Sequence, residues 1–191
     1  MGFFQESPEN HVHFFGEKIA FPRHVWNINI MMTRDDILRL DDAGLSAVCE
    51  LEFFKGTGPG GQKRNKTSSA VRASLPAWSV TATDCTERSQ TRNRANALRK
   101  LRLELAMTHR VVPAQAPERT ACALTSADYP LWLARVLDIF EERAFAPREA
   151  AAQLGVSSSS LIKTFYRDPV LWQRLQKELS RRGLPLLKTP K

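Results

Sequence analysis

The run Gly56-Thr57-Gly58-Pro59-Gly60-Gly61-Gln62-Lys63-Arg64-Asn65-Lys66-Thr67 constrains this chain most, because it joins a glycine-rich loop to a dense patch of positive charge. Four glycines and one proline within six positions let the backbone reach positive φ and let another surface approach without interference from a Cβ, while the proline limits how far the loop wanders. From Lys55 to Arg72 there are five basic residues, Lys55, Lys63, Arg64, Lys66 and Arg72, and no acidic one. Such a loop attracts phosphate, which is the electrostatic footprint of a nucleic-acid contact. The competing reading of the glycine pair is a wide turn between two strands with a solvated basic flank.

The chemistry open to the loop is narrow. Between Gly56 and Thr67 there is no carboxylate, histidine or cysteine, so general-base catalysis from the loop has no agent. It does have backbone N–H groups that glycines leave accessible, and a Gln62 side chain that both donates and accepts. Such groups stabilise an oxyanion or a departing hydroxyl when another body orients the ester.

This segment resembles the catalytic domain of class I peptide chain release factors and of the related codon-independent ribosome-rescue hydrolases. These share Gly60-Gly61-Gln62 followed by Asn65-Lys66-Thr67 and a strand like Ser69-Ala70-Val71-Arg72. The likeness runs on into Glu87-Arg88-Ser89-Gln90 and Asn93 with a basic helix behind it, covering about residues 48 to 110. It implies hydrolysis of peptidyl-tRNA at the peptidyl transferase centre, with Gly60, Gly61 and Gln62 as the catalytic residues. Gln62 would set its backbone N–H against the transition state and its side chain beside the attacking water. The resemblance implies the ribosome, with its rRNA and peptidyl-tRNA, as partner, no cofactor, and a glutamine methyltransferase that modifies Gln62. Two departures stand out. Thr57 occupies a position where the family usually has Ser, and Lys63-Arg64 stands where it usually has His-Val or similar, adding charge where the loop would meet RNA.

Charge supports an acidic partner. The chain of 191 residues has a formal net charge of +8 and a pI near 9.8. Residues 33–110 hold 14 basic and 9 acidic side chains and residues 118–191 hold 12 and 8, whereas residues 1–32 hold 2 and 3. A membrane surface would also suit a basic protein, but there is no long apolar span and no lipidation signal. Three cysteines, Cys49, Cys85 and Cys122, are too few and too scattered for a zinc cluster and are expected as free thiols in a reducing cytoplasm. No metal site is expected.

Along the chain, residues 1–32 read as a leader without sustained periodicity, expected to be disordered, with Met31 or Met32 as the native start. Thr33 can cap a helix with Asp35 and Asp36 in its first turn. Strands follow over Val48–Phe54, Ser69–Leu75 and Ser79–Thr83. A helix over Arg92–His109 turns Ala95, Leu98, Leu101, Leu105 and Ala106 inward and carries Arg88, Arg92, Arg94, Arg99, Lys100 and Arg102 on its approach and outer face. The acid-free interval from Arg88 to Leu103 directs that face to rRNA or tRNA phosphate, against the plainer reading of a solvated helix.

Residues 111–124 read as a proline-containing linker crossed by few contacts. Residues 125–191 read as an all-helical domain, with helices over Ser126–Arg143 and Pro169–Arg182. Between them a small-residue helix, a glycine turn and a Ser-capped helix look like a helix-turn-helix, with Lys163 and Arg167 as RNA contacts or a corner used for packing alone. The expected fold class is therefore α+β: a small sheet with a backing basic helix in 33–110, followed by the helix-turn-helix-like domain. The expected RNA-binding residues are Lys55, Lys63, Arg64, Asn65, Lys66, Thr67, Arg72, Arg88, Arg92, Arg99, Lys163 and Arg167. The functional expectation is a monomeric, cytoplasmic, codon-independent peptidyl-tRNA hydrolase. The alternative is a non-hydrolytic rRNA-binding protein in ribosome assembly or regulation.

Overall fold

A computed structural model describes residues 12–14, 17–19, 32–55 and 68–190. Strands β1 (Val12–Phe14) and β2 (Glu17–Ile19) pair antiparallel, Val12 opposite Ile19 and Phe14 opposite Glu17. The expected disorder of the 1–32 leader, and the expected start at Met31 or Met32, otherwise fall outside the described residues: residue 31 and most of the leader are not among them.

Helix α1 (Arg34–Arg39) begins where the sequence places it. The Thr33 hydroxyl accepts from the Asp36 N–H at 3.2 Å and Asp36 accepts from the Thr33 N–H at 3.0 Å, a reciprocal pair that satisfies two amide donors at the helix start. A second short helix, α2 (Asp42–Val48), follows at once, capped by Asp41, which accepts from Gly44 N–H at 2.7 Å. Its brevity and its internal glycine hide it from periodicity.

Strands β3 (Glu50–Phe54), β4 (Ala70–Leu75) and β5 (Val80–Asp84) form an antiparallel sheet in sequence order. A 3₁₀ turn at Pro76–Trp78 joins β4 to β5, closed by Ser79 at φ 51°. Val71, Ala73 and Leu75 point to one face, where they oppose Asp84, Ala82 and Val80. Helix α3 (Gln90–Thr108) packs on that face through Ala97, Leu98, Leu101, Leu105 and Ala106. Ala95, expected inside, is exposed, and Ala97 takes the place. The inward stripe also takes in Asn93 and Ala97, and the helix begins two residues earlier, at Gln90, than its periodicity suggests.

Four helices follow: α4 (Tyr129–Glu142), α5 (Pro147–Gln153), α6 (Ser158–Tyr166) and α7 (Pro169–Arg181). Their core gathers Leu133, Leu137, Phe140, Leu161, Phe165, Leu171, Leu175 and Leu179. Ser157 caps α6 by accepting from Ser160 N–H, and Asp168 caps α7 by accepting from Val170 and Leu171. In α7 it is Leu171 that is fully inside, with Trp172 half-buried against Tyr166.

The expectation that few contacts cross residues 111–124 differs from what the structure contains. Ala134 of α4 belongs to the core formed by the sheet and α3, and Leu131 packs against the same core. Arg34 and Asp138 form a buried ion pair between α1 and α4, joined by Arg135 to Asp35 at 3.1 Å. Arg174 of α7 is paired with Glu104 of α3. The reason is that α4 is buried on almost every side, so its apolar surface has two cores to fill.

Candidate catalytic loop and its stem

Gly56–Thr67 lies outside the described residues, and with it Gly60, Gly61, Gln62, Lys63, Arg64, Asn65, Lys66 and Thr67. What the structure does describe is the stem that carries them. Phe54 pairs with Ala70 as the last rung of the β3–β4 ladder, so the whole glycine-rich run is the connection of one hairpin. Both ends leave the sheet side by side.

The returning end is fastened to α3. Asn93, wholly buried, donates from Nδ2 to the Ser69 carbonyl at 2.7 Å and to the Glu87 carbonyl at 2.9 Å, and accepts from the Glu87 N–H at 2.8 Å. Gln90 donates to the Ser68 carbonyl at 2.7 Å. An amide side chain is suited to this position because it offers two donors and an acceptor on one planar group. The start of α3, capped by Ser89, is thereby locked to the base of the loop. Sequence reading noted Gln90 and Asn93 only as part of the resemblance; their role as fasteners depends on partners across the fold.

Behind the stem sits a second buried polar group. Asp84 is 2 % exposed and accepts from Lys100 Nζ at 2.6 Å, from Thr86 N–H at 3.1 Å and from Thr86 Oγ1 at 2.9 Å. Burial pushes its carboxyl up, but the bonds from Lys100 and Thr86 more than offset this and hold it below the ordinary carboxylate range. It is a fixed anion that anchors β5 to α3, and Lys100, though exposed, is paired with it.

The expected RNA-binding cations sort into groups. Lys55, at the departing end of the loop, is exposed. Arg72 projects from the sheet face opposite α3, paired with Glu52 at 2.8 Å and lying over the Phe54 ring at 5.3 Å. Arg88 is exposed just before α3, and Arg92 in its first turn reaches Glu87 at 3.7 Å while remaining 75 % exposed. These four flank the stem. Arg99 stands farther along α3 and donates to the Leu124 carbonyl at 2.9 Å. Arg102 is engaged with Asp42 at 2.7 Å and the Leu40 carbonyl at 3.0 Å. Lys163 and Arg167 are exposed on α6 and its C-terminal cap, in the other helical layer. The outer face of α3 is thus less positive than its composition, because cation count does not reveal which carboxylates fold back to meet it.

Burial raises the Cys49 thiol to about 11, so at neutral pH it is a protonated core group and no nucleophile. Among the described residues no cluster of His, Cys, Asp and Glu is arranged to hold a metal ion, and no helix is long and apolar enough to cross a membrane.

Residues 46–128 match the RF-1 domain family. This stretch belongs to the class I release factor superfamily. The release-factor region is 37 % identical over 95 residues to peptide chain release factor 1 of Bifidobacterium adolescentis, covering 49 % of this chain and 25 % of that protein. It is 42 % identical over 73 residues to peptide chain release factor 2 of Acidithiobacillus ferrooxidans, covering 36 % and 20 %. Against peptide chain release factor 1 of Salinibacter ruber the identity is 48 % over 52 residues, covering 27 % and 15 %. The chain therefore spans a quarter or less of the length of these curated relatives. The family match takes in the β3–β4 hairpin, its connecting loop and the whole of α3.

Proposed function

We propose that this protein hydrolyses the ester of peptidyl-tRNA on the ribosome without reading a codon, using Gly60-Gly61-Gln62 as its catalytic loop. The observation that carries this reading is the stem. A release-factor-type loop is held between two paired strands, and its base is fixed by a buried asparagine on the following helix. A hydrolytic loop needs such a mounting, since misplacing the reacting groups by about 1 Å can cost on the order of a hundredfold in rate.

In this reading, water attacks the ester carbonyl, the carbonyl–oxygen bond to the tRNA ribose breaks, and the ribose hydroxyl takes up the proton. The Gln62 N–H faces the charge that develops, and the Gln62 side chain orients the water. Gly60 and Gly61 admit the loop to the crowded centre. Lys55, Lys63, Arg64, Asn65, Lys66, Thr67, Arg72, Arg88, Arg92 and Arg99 contact rRNA or tRNA around the loop. The α5–α6 unit, helix-turn-helix-like in its order of elements, contributes Lys163 and Arg167 as a ribosome-sensing element. The protein acts as a cytoplasmic monomer, and Gln62 is a substrate for side-chain methylation.

The test is release of labelled peptide from peptidyl-tRNA on ribosomes stalled with truncated, sense-codon and stop-codon messages. Release that does not require a stop codon is expected. Ribosome binding with no release on any message would replace this reading with that of a non-hydrolytic rRNA-binding protein.

A further inference from the structure

A cleft of about 330 Å³ opens where the segment following α3 passes over the end of α1 and the start of α4. That volume suits a small organic molecule, since ligand sites run from about 300 Å³ upwards. The most buried cation of its lining is Arg135, whose side chain is 9 % exposed, against 48 % for Arg39 and 70 % for Arg119.

Only part of Arg135 is engaged. Its Nε donates to Asp35 at 3.1 Å. Its Nη1 stands 4.0 Å from the Glu118 carboxylate, beyond hydrogen-bonding reach, and the Glu118 side chain is 83 % exposed. Neither Nη1 nor Nη2 makes a hydrogen bond among the described residues. Nor are they sealed in the core, because among those residues the one buried side-chain nitrogen or oxygen without a partner is Trp78 Nε1. A guanidinium as buried as this one meets solvent through the cleft that it lines. The open end of the fork therefore offers the cavity two parallel N–H donors, which a carboxylate matches with its two oxygens.

We infer that the cleft binds a small organic carboxylate, with its two oxygens on Nη1 and Nη2 of Arg135 and its apolar body against Cys122, Leu131 and Trp132. Charge separates this ligand from its rivals. Each cation of the lining already has a carboxylate beside it: Asp36 lies 3.9 Å from Arg39, Asp128 lies 3.7 Å from Arg119, and Asp35 is bonded to Arg135. A cleft balanced in this way has no net positive field to gather a phosphate dianion or an RNA backbone. What it lacks is an acceptor for two placed donors, and a single carboxylate supplies that. Glu118 approaches this position and stops short of it, so the ligand takes the place that Glu118 leaves unfilled. The apolar wall is preformed, because Trp132 donates from Nε1 to the Arg119 carbonyl at 2.8 Å and its ring stacks on Tyr129. This inference does not depend on the hydrolase reading.

The experiment titrates the full chain with benzoate at constant pH and ionic strength and follows the indole N–H signal of Trp132 by NMR, assigned by its loss in Trp132→Phe. The signal should shift and saturate, with acetate and inorganic phosphate each binding about fivefold more weakly or worse. Arg135→Lys keeps a charge for Asp35 but not the fork, and should weaken benzoate by about tenfold. Glu118→Gln removes the competing carboxylate and should tighten benzoate by about twofold or more. Because Glu118 is exposed, that variant decides the matter even if Arg135→Lys fails to fold. Arg148→Gln, exposed and outside the cleft, should bind as wild type does. A Trp132 signal that benzoate does not move would overturn the inference, as would a Glu118→Gln affinity no tighter than wild type. Acetate or phosphate binding as tightly as benzoate would overturn the assignment of an organic carboxylate. So would an RNA duplex that moves the Trp132 signal and displaces benzoate. Benzoate binding with these dependences in a protein inert in peptide release would leave this inference standing while removing the proposed hydrolase activity, and release without such binding would do the reverse.

Discussion

Arg34 and Asp138 face each other as a two-pronged ion pair, Nη1 to Oδ1 and Nη2 to Oδ2 both at 2.7 Å, with each side chain 1 % exposed. Arg34 also donates to Asp35 and to the His109 carbonyl, and Asp138 accepts from the Val111 N–H. Burial lowers the arginine's affinity for its proton, but the carboxylates of Asp138 and Asp35 outweigh this and raise it above its ordinary value. Removing one partner leaves the other charged in a site built to exclude water. Arg34→Met or Asp138→Ala should each cost about 3–5 kcal/mol. The double variant should cost less than the sum of the two singles in urea titrations, because the second change removes the stranded charge. Additive losses would show that the pair is not coupled.

Asn93 ties the loop stem to α3, so its removal should be felt in both stability and rate. Asn93→Ala leaves the Ser69 carbonyl and both Glu87 backbone groups without their partner, at about 1–3 kcal/mol for each group that stays buried and unpaired. Asn93→Asp keeps the acceptor for Glu87 N–H but loses the donor to Ser69. If the stem positions the loop, single-turnover peptide release should fall at least tenfold in Asn93→Asp under conditions where the protein is still folded. A native release rate in that variant would detach the stem from catalysis.

The loop itself is tested by its smallest enlargement. Gly61→Ala should abolish release while ribosome binding persists, because the added methyl obstructs the approach to the ester more than the docking. Gln62→Ala should do less harm, since its backbone N–H is retained. Pelleting with ribosomes and single-turnover release separate the two effects. Full activity of Gly61→Ala would refute the catalytic assignment.

Asp84 gives an acid limb with a defined sign. Its folded pKa lies below the ordinary carboxylate value of about 3.9. The stability it contributes is therefore complete above that value and is lost as pH falls through the folded value. Asp84→Asn should lower the urea midpoint at pH 7, with the gap to wild type closing below about pH 4. A gap that stays constant down to pH 3 would rule out the Asp84–Lys100 pair as its origin.

Gly155 closes the turn between α5 and α6 at φ +67°, with open space where a Cβ would stand. The cost of Gly155→Ala is then conformational alone, about 1 kcal/mol. A thermal midpoint unchanged within error would argue that the turn relaxes.

Much of this architecture is legible in the sequence, for reasons that differ by element. Thr33, Ser157 and Asp168 announce helix starts because a capping bond is local. The three strands and the inward leucines of α3 follow from period alone, as does the packed face of α4. The stem is only half legible: Asn93 belongs to a recognisable motif, but its bonds to Ser69 and Glu87 exist only once the hairpin and α3 are docked. Arg34 is the hardest case. Nothing in the sequence singles it out, because its partner lies 104 residues away and no local pattern encodes that distance. The same blindness inflated the cationic face of α3, where Lys100 and Arg102 are claimed by Asp84 and Asp42.

Helix α4 contributes Leu133 to one core and Ala134, its immediate neighbour, to the other. With the Arg34 ion pair fixed to the same helix, neither core can come apart while the other keeps its packing. Heat should therefore melt the chain in one cooperative step, with calorimetric and van't Hoff enthalpies in agreement. Damage done at either end of the molecule would be shared by both.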